Sequence, residues 1–368
     1  MATLQLSAVG LLFLTFTLPC SSLVRDNQYF QDLCFRLTGH SVCWPSEELR
    51  NNYTSQGNYN PANIIVTRFQ WWRDQVFVCT PSLRPGVPFT LGRFDLFQRG
   101  FPCIQPFPSW DSDLHNVVDL YVDARDILWV LDIGIVTTLT NPEVKCHPRV
   151  LAFDVLSKKV IHVIDLATLS CQGSRLQHLV VDVCPRTSTP WVFVSDASTR
   201  TILVYDVARA KGRRVVLPDV VEPHGPRDVL YLALIRRMDK PSRVYFSYLS
   251  SDRMFSMSTE DLRYPERQGS VQDEGRKPHP MVTLGTADTN LFLRYRGRAE
   301  VLMWPVDTTL REANLIPIQE TQDGRLATQV TIGYGGLLWI LESNFQDYIR
   351  NATGSLGASV LLHPLTRP

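Results

Sequence analysis

A short β-rich run that ends in a polar residue recurs along this chain, and this repeat limits the possible folds more than any other feature. The runs are separated by Gly, Pro, Asp and Ser, and they recur about every 45 to 60 residues, a period typical of propeller blades. Six of them use up the chain, at 76–80, 128–132, 191–196, 244–248, 291–293 and 338–342. Helical periodicity is scarce between them.

Further β-rich runs flank these repeats. Some precede the repeat, as at 116–123 and 179–183, and others follow it, as at 150–154, 202–206 and 254–258. A single four-stranded sheet cannot bury both of its faces, whereas a closed ring of six stacks each face on a neighbour and leaves few exposed edges. We therefore predict an all-β fold, a six-bladed β-propeller over residues 61–368. A pair of β-sandwiches is the alternative, but it implies shorter spacing and no six-fold recurrence.

The first residues of the chain indicate its compartment. Residues 9–18 form a largely apolar run without charge, and small residues follow at 19–22, as in a signal peptide. This run is shorter than the about 20 residues that a membrane anchor needs, and no later stretch is long and apolar enough to span a bilayer. We therefore predict a signal peptide at 1–22, a secreted protein, and a short N-terminal extension at 23–60 that packs on the ring.

Cysteine use agrees with secretion. Of the eight cysteines, Cys20 leaves with the signal peptide, so seven remain, at 34, 43, 79, 103, 146, 171 and 184. Their spacings match neither a zinc site nor a redox pair, so we expect disulfides. Cys34 and Cys43 are close enough to close a small loop, and the pairing is otherwise open. Asn52 and Asn351 each begin an Asn-X-Thr sequon, which makes both predicted glycosylation sites.

Charge and motifs argue against several function classes. The formal net charge is +1 and no basic block occurs, which argues against a nucleic-acid partner. The sequence has no phosphate loop, dinucleotide fingerprint or nucleophile elbow, and its eight histidines lack metal-ligand spacing. We therefore predict no cofactor and no metal. These features leave the oligomeric state open.

Several segments resemble the Yellow / major royal jelly protein family. The start of the family pattern is matched at 45–50, 59–61 and 81–91. Its later part is matched by DARDILWVLDIG at 123–134, YLSSDRMFSMST at 248–259 and LWILESNFQ at 338–346. The resemblance covers nearly all of the mature chain in order, and it implies a secreted six-bladed propeller. Some members of the family bind biogenic amines in the central channel and some convert dopachrome, so function varies within the fold.

The resemblance also implies a ligand site. Thr328 lies where amine-binding members place a hydroxyl donor, and Phe345 matches an aromatic residue of the family pattern. The pocket asparagine of the family falls on Ser343, or on Asn344 if the strand shifts by one residue, which would turn each side chain to the other face. Asp132 ends an equivalent strand and is the expected charge partner of an amine. The other interpretation of Asp132 is that it starts a turn by binding nearby backbone amides.

Two departures from the family concern its disulfides. Arg125 and Met303 stand where family members commonly carry cysteines. If those cysteines pair with the ones that match Cys146 and Cys184, this chain has lost both partners. Cys146, Cys171 and Cys184 could then have rearranged among themselves.

The leading hypothesis is a secreted propeller that binds a small aromatic or biogenic-amine-type ligand in its central channel, in pigmentation or catecholamine metabolism. One alternative is an enzyme that converts dopachrome by proton transfer. Another is a calcium-dependent lactonase, with calcium held by strand-end carboxylates such as Asp132, Asp196 and Glu342. The last alternative is a structural or storage protein without a small ligand. The tryptophans of the blades could cage an ammonium group, but packing between blades is their more usual role.

Overall fold

The computed structural model describes residues 33–98, 100–183, 187–225, 227–237, 240–264, 270–321 and 323–365. The predicted signal peptide at 1–22 and Cys184 lie outside these residues. Within them, the strands form six four-stranded antiparallel sheets, together with one two-stranded sheet. In the same residues, no helix has the length and apolar character needed to cross a membrane.

The strands and helices are numbered in chain order. The first strands are β1 (Phe35–Thr38), β2 (Arg68–Trp72), β3 (Gln75–Cys79), β4 (Leu91–Asp95), β5 (Gln105–Pro106), β6 (Val117–Val122), β7 (Ile127–Asp132), β8 (Ile135–Val136), β9 (Glu143–Val144), β10 (Arg149–Asp154) and β11 (Val160–Asp165). They are followed by β12 (Leu176–Val183), β13 (Pro190–Asp196), β14 (Thr201–Asp206), β15 (Lys211–Val216), β16 (Leu230–Ile235), β17 (Arg243–Tyr248), β18 (Arg253–Ser258) and β19 (Gln272–Arg276). The last are β20 (Met281–Ala287), β21 (Asn290–Tyr295), β22 (Glu300–Pro305), β23 (Ile316–Glu320), β24 (Leu326–Ile332), β25 (Leu338–Ser343) and β26 (Ser359–Pro364). The helices are α1 (Glu47–Ser55), α2 (Thr259–Arg263) and α3 (Phe345–Ile349).

Each four-stranded sheet is one blade of a six-bladed β-propeller. The first five blades are β2–β5, then β6, β7, β10 and β11, then β12–β15, β16–β19 and β20–β23. The sixth blade joins β24, β25 and β26 from the end of the chain to β1 from its start. The six repeats predicted from the sequence lie on β3, β7, β13, β17, β21 and β25, the second strand of each blade, so the predicted fold is confirmed.

Ring closure uses part of the predicted N-terminal extension at 23–60. Within that segment, β1 pairs antiparallel with β26, with Phe35 opposite Leu362 and Thr38 opposite Ser359. The closing strand is firmly packed, because Phe35 is fully buried in a cluster that joins the first and sixth blades. The rest of the extension includes α1, which is N-capped by the Ser46 hydroxyl.

Large aromatic side chains fill the space between blades. The tryptophans considered as a cage, at 71, 72, 129, 191, 304 and 339, are all buried. Trp71 of the first blade and Trp339 of the sixth have ring centroids 4.5 Å apart. Both faces of each second strand are covered by neighbouring blades, which explains why these strands are almost wholly apolar in sequence.

One disulfide is present in the described residues, between Cys43 and Cys103, whose Cα atoms are 5.1 Å apart. The small loop that a Cys34–Cys43 pair would close is therefore not formed, and Cys34 is a free thiol. The reason is local: the Cys43 amide donates to the Ile104 carbonyl at 2.9 Å, which places Cys43 beside Cys103. Cys146 and Cys171 are also free.

Candidate functional site

The first strands of the six blades, β2, β6, β12, β16, β20 and β24, surround the propeller axis and contact one another in a closed ring. They enclose an axial cavity of about 480 Å³ that is lined by residues from all six strands. The lining runs from Arg68 and Asp119 to Ile332 and Asp288, that is, toward the hairpins that follow these strands. A cavity of this size falls in the range of small-molecule sites, about 300–1,000 Å³.

Polar side chains form a ring at the end of the cavity where the inner strands start. Five inner strands each contribute one polar side chain to the lining at this level, namely Arg68, Asp119, His178, Thr283 and Gln329. In four of these strands the ladder to the second strand shifts register near this position. Such β-bulges redirect side chains that regular alternation would place elsewhere. We call Arg68, Asp119 and His178 the polar floor of the cavity.

The three side chains of the polar floor contact one another. The Arg68 Nη2 atom lies 3.1 Å from Nδ1 of His178, and its Nε lies 3.7 Å from Oδ1 of Asp119. The other oxygen of Asp119 is 3.5 Å from Nδ1 of His178. Asp119 also accepts from the amides of Leu120 and Leu179, at 3.0 and 2.8 Å. These bonds fix the carboxylate and, through it, the orientation of the imidazole.

Of the three side chains of the polar floor, His178 has an atom available for a further hydrogen bond. Burial lowers its pKa, and the nearby Arg68 acts in the same direction, while the hydrogen bond with Asp119 opposes them. The ring is therefore neutral near pH 7. Its Nε2 atom has no hydrogen-bond partner among the described residues, although His178 lines the cavity. Behind it, the ring of Tyr231 packs with its centroid 5.1 Å from that of His178, and burial raises the pKa of Tyr231.

A buried cation, Arg294, lies beside the polar floor. Arg294 is 4% exposed, and its Nε donates to the Ala327 carbonyl at 2.6 Å. Arg68 donates to the next carbonyl, that of Thr328, at 3.1 Å, so two guanidinium groups bind consecutive carbonyls of the β24 bulge. No carboxylate of the described chain forms an ion pair with Arg294, and burial lowers its pKa. The region around the polar floor is therefore rich in hydrogen-bond donors.

Comparison with known proteins identifies the family. A sequence profile of the Major royal jelly protein family matches residues 115–355, well over half of the chain. The chain belongs to the Yellow / major royal jelly protein family. This agrees with the resemblance seen in the sequence.

Individual relatives in the family are distant. The chain is 28% identical to dopaminechrome tautomerase of Drosophila melanogaster over 171 residues, 43% of this chain and 37% of that protein. It is 30% identical to major royal jelly protein 1 of Apis mellifera over 175 residues, 44% of this chain and 40% of that protein. Protein yellow of Drosophila melanogaster is 26% identical over 250 residues, 60% of this chain and 46% of that protein. The chain thus spans less than half the length of each relative.

Among solved structures, the fold is similar to that of a mutant α-L-arabinofuranosidase from Fusarium graminearum. The TM-score is 0.51 at 11% identity, covering 84% of this chain and 95% of that chain. At this identity the likeness concerns the fold alone.

The four residues that the family resemblance selected near the C-terminal end lie together, but outside the cavity lining. Ser343 ends β25 opposite Leu326, where β24 starts, and its buried Oγ has no hydrogen-bond partner in the described part of the chain. Asn344 follows, and its Oδ1 accepts from the Ser359 amide at 2.8 Å. Phe345 is half-buried at the start of α3. Thr328 donates from its hydroxyl to the Leu341 carbonyl at 3.1 Å. Their role in binding stays a prediction.

Asp132 is occupied by its own neighbours. It is fully buried, and its Oδ1 accepts from the amides of Asn116 and Gly134 at 2.8 and 3.0 Å. Its Oδ2 accepts from the His115 amide at 3.2 Å and pairs with Arg149 at 3.2 Å. These contacts match the turn-starting role considered for it.

Asp196 is similarly engaged by the Arg175 amide and the Ser174 hydroxyl, at 2.9 and 2.6 Å. Within the described ranges, no group of three or more His, Cys, Asp or Glu side chains is placed to hold a metal ion. Asp132 and Asp196 thus bond the backbone of nearby turns, whereas Glu342 accepts from the side-chain amide of Gln319 at 3.2 Å.

Both predicted glycosylation sites are exposed. Asn52 lies on α1, where its Oδ1 accepts from Gln56, and Asn351 lies just after α3 with a positive φ of 59°. A glycan could be accommodated at either position. Glycosylation itself stays a prediction.

The sequence interpretation missed the polar floor. It treated 116–123 as a strand, without singling out Asp119, and counted His178 only as one of several scattered histidines. The usable signal was a charged or polar residue inside an otherwise apolar first strand, as in VVDLYV and LQHLVVDV. In a propeller such a residue faces either a neighbouring blade or the axis. Burying a polar side chain between two blades without a hydrogen-bond partner costs free energy, so a position facing the axis is favoured.

Proposed function

We propose that this member of the Yellow / major royal jelly protein family is a secreted propeller that binds a small aromatic or biogenic-amine-type ligand in its axial cavity. The observation that supports this most strongly is His178, which lines the cavity while no described residue bonds its Nε2 atom. This atom is accessible and not sealed in the protein interior, so water or a ligand that enters the cavity can bond it. The Cys43–Cys103 disulfide supports an oxidising compartment.

The walls of the cavity favour a flat polar ligand. Tyr121 supplies partly exposed aromatic surface to the walls above the polar floor, whereas Trp71 and Val330 are buried against neighbouring blades. A phenol or indole ring stacks on such walls, while its hydroxyl or ring N–H bonds His178. The carboxylate of Asp119 attracts an ammonium group, and Arg68 at 3.7 Å from it limits that attraction. The floor thus selects by hydrogen bonding more than by charge.

Isothermal titration with dopamine and serotonin tests this proposal. The wild-type protein should bind at least one of them, and His178→Leu should weaken binding about tenfold or more, because one buried hydrogen bond to the ligand is lost. Phe345→Ala is the matched control, since it removes an aromatic side chain that follows β25 and lies outside the cavity lining. If Phe345→Ala abolishes binding and His178→Leu does not, the ligand occupies the site that the family resemblance implies. No heat at millimolar ligand would contradict any such binding.

A second candidate function is the tautomerisation of a dopachrome-type compound. It is favoured by a neutral imidazole held by a carboxylate, and by the relative named dopaminechrome tautomerase. The reaction moves a proton from carbon to another atom of the same molecule, without any oxidant. His178 takes the proton at Nε2 and returns it only in the tautomer that carries its hydrogen on Nδ1, directed at Asp119 rather than accepting from Arg68. In that tautomer Asp119 stabilises the imidazolium formed between the two steps.

The decay of dopaminechrome absorbance tests this candidate. The native protein should speed the decay, and His178→Gln should lower the rate constant about a hundredfold or more, toward that of heat-denatured protein. Burial lowers the pKa of His178 from the usual histidine value of about 6.5, so the imidazole is neutral at pH 7. The rate should therefore fall only at pH values below about 6.5. Full activity in His178→Gln would contradict this mechanism, while leaving ligand binding to be judged by titration.

A further inference from the structure

The outermost strand of each blade forms the rim of the propeller, where unpaired N–H and C=O groups invite pairing with another chain. Five of the six rims carry a protective feature. β5 has only two residues and includes Pro106, and β23 includes Pro317. β15 and β19 carry charged side chains along their length. The edge of β1 is engaged by the backbone, since the Arg36 amide donates to the Gly100 carbonyl at 2.7 Å.

β11, the rim of the second blade, lacks these features. Its interior has neither proline nor a charged side chain, yet five of its six residues are exposed. Val160, Ile161 and Val163 are 45%, 44% and 61% exposed, and Leu156 in the preceding turn is 64% exposed. The ladder to β10 has a bulge at Ile161, so the regular edge runs over 162–165. A rim with this much exposed apolar surface is typical of an interface.

The charges of this rim are complementary to themselves. Lys158 and Lys159 precede β11, and Asp165 ends it. All three are exposed, and none forms an ion pair with another residue of the described chain. When two such strands run antiparallel, the lysine end of each lies beside the aspartate end of the other, twice over by symmetry. A parallel approach would instead place like charges together.

We propose that β11 pairs antiparallel with β11 of a second copy, so that two blades merge into one eight-stranded sheet across a two-fold axis. Rim strands lie on the circumference, so two rings can meet edge to edge. The predicted glycosylation sites Asn52 and Asn351 belong to other parts of the fold, on α1 and after α3. The pairing covers the exposed Val160, Ile161 and Val163 and satisfies the free backbone groups of the edge. Because the strand is short, the dissociation constant should be on the order of micromolar.

Sedimentation velocity over a range from nanomolar to high micromolar protein tests the dimer. The wild-type protein should shift from monomer to dimer, and Val163→Lys should raise the dissociation constant at least tenfold. Val216→Lys is the matched control, because Val216 is 64% exposed on β15, the rim of the next blade, and should leave the dimer intact. Equal melting temperatures for the two variants would show that both fold. A wild-type protein that stays monomeric at all concentrations, or equal loss in both variants, would overturn the proposal.

Charge reversal tests the antiparallel arrangement. Lys159→Glu places a carboxylate near Asp165 of the other copy and should weaken the dimer. Adding Asp165→Lys to Lys159→Glu restores opposite charges and should recover the wild-type dissociation constant within about threefold. A double variant as weak as Lys159→Glu alone would contradict this pairing.

Discussion

At the scale of single residues, the strand-end carboxylates stabilise the turns between strands. Asp132 accepts hydrogen bonds from three backbone amides and pairs with Arg149. Asp123 directly follows the adjacent strand β6 and accepts from the Arg125 amide and the Trp129 indole at 2.8 and 3.0 Å. All of these partners belong to the second blade, so the carboxylates stabilise the turns of their own blade.

Removal of the Asp132 carboxylate should therefore destabilise the fold. Asp132→Ala leaves the guanidinium of Arg149 and three amides without their acceptor, and the free energy of unfolding should fall by about 3–5 kcal/mol. Urea denaturation of the wild-type and variant proteins measures this change. An unchanged midpoint, together with a loss of amine binding, would show instead that Asp132 serves the ligand.

Lys277 makes the stability depend on pH. It is 2% exposed, and its Nζ donates to the Ser247 hydroxyl at 2.8 Å and to the Tyr248 carbonyl at 2.6 Å. Burial lowers its pKa from 10.5 to about 7, against the opposing effect of Asp228 and Asp252. Above pH 7 the folded protein releases this proton, whereas the unfolded chain keeps it until about pH 10.4.

The free energy of unfolding should therefore rise with pH above 7, by at most about 1.4 kcal/mol per pH unit from this group. Lys277→Met should remove that contribution, whereas Lys211→Met, at an exposed position on β15, should retain it. Urea denaturation at pH 7, 8 and 9 measures the slopes. A Lys277→Met slope equal to that of the wild-type protein would contradict a lowered pKa.

At the scale of elements, the pattern of the sequence was sufficient to place the strands. The second strands are apolar on both faces because two blades cover them, and this made 128–132 and 338–342 recognisable as one repeat. The polar floor was not predictable in the same way. Asp119 and His178 point to the axis because β6 and β12 contain bulges, and a bulge changes the facing of side chains without any change in strand composition.

The family resemblance was limited for a related reason. It selected Thr328, Ser343, Asn344 and Phe345 by alignment, but alignment alone does not show which side chains reach the axis. Thr328 lies within the β24 bulge, and its hydroxyl bonds back to β25. The pairing of Cys43 with Cys103 was equally hidden, because the two residues meet only after the chain has passed through the first blade.

The Cys43–Cys103 disulfide should stabilise the region that follows the closing strand. It links residues 60 apart in sequence and ties the segment after β1 to β5 of the first blade. Cys43→Ser with Cys103→Ser should lower the free energy of unfolding by about 2–4 kcal/mol. Cys171→Ser, which removes an exposed free thiol, is the control and should have no measurable effect. Thermal unfolding under non-reducing conditions gives the comparison, and equal midpoints would argue that the ring closes without this bond.

At the scale of the whole molecule, closure of the ring creates the candidate site. Six first strands meet around an axis that none of them could enclose alone, and the sixth blade is completed only when β1 pairs with β26. The site therefore exists only in the complete fold, and its residues come from blades spread between Arg68 and Gln329. Ligand selection then depends on which polar side chains the six strands present to the axis.

The position of a bound ligand decides whether the axial cavity is the binding site. A crystal structure of the protein with dopamine, or with whichever of the two amines binds in titration, should show density in the axial cavity. A ligand oxygen or nitrogen should lie within hydrogen-bond distance of His178 Nε2, about 2.7–3.2 Å. Density beside Asn344 and Phe345 instead, with the axial cavity holding only water, would show that the ligand binds outside the cavity.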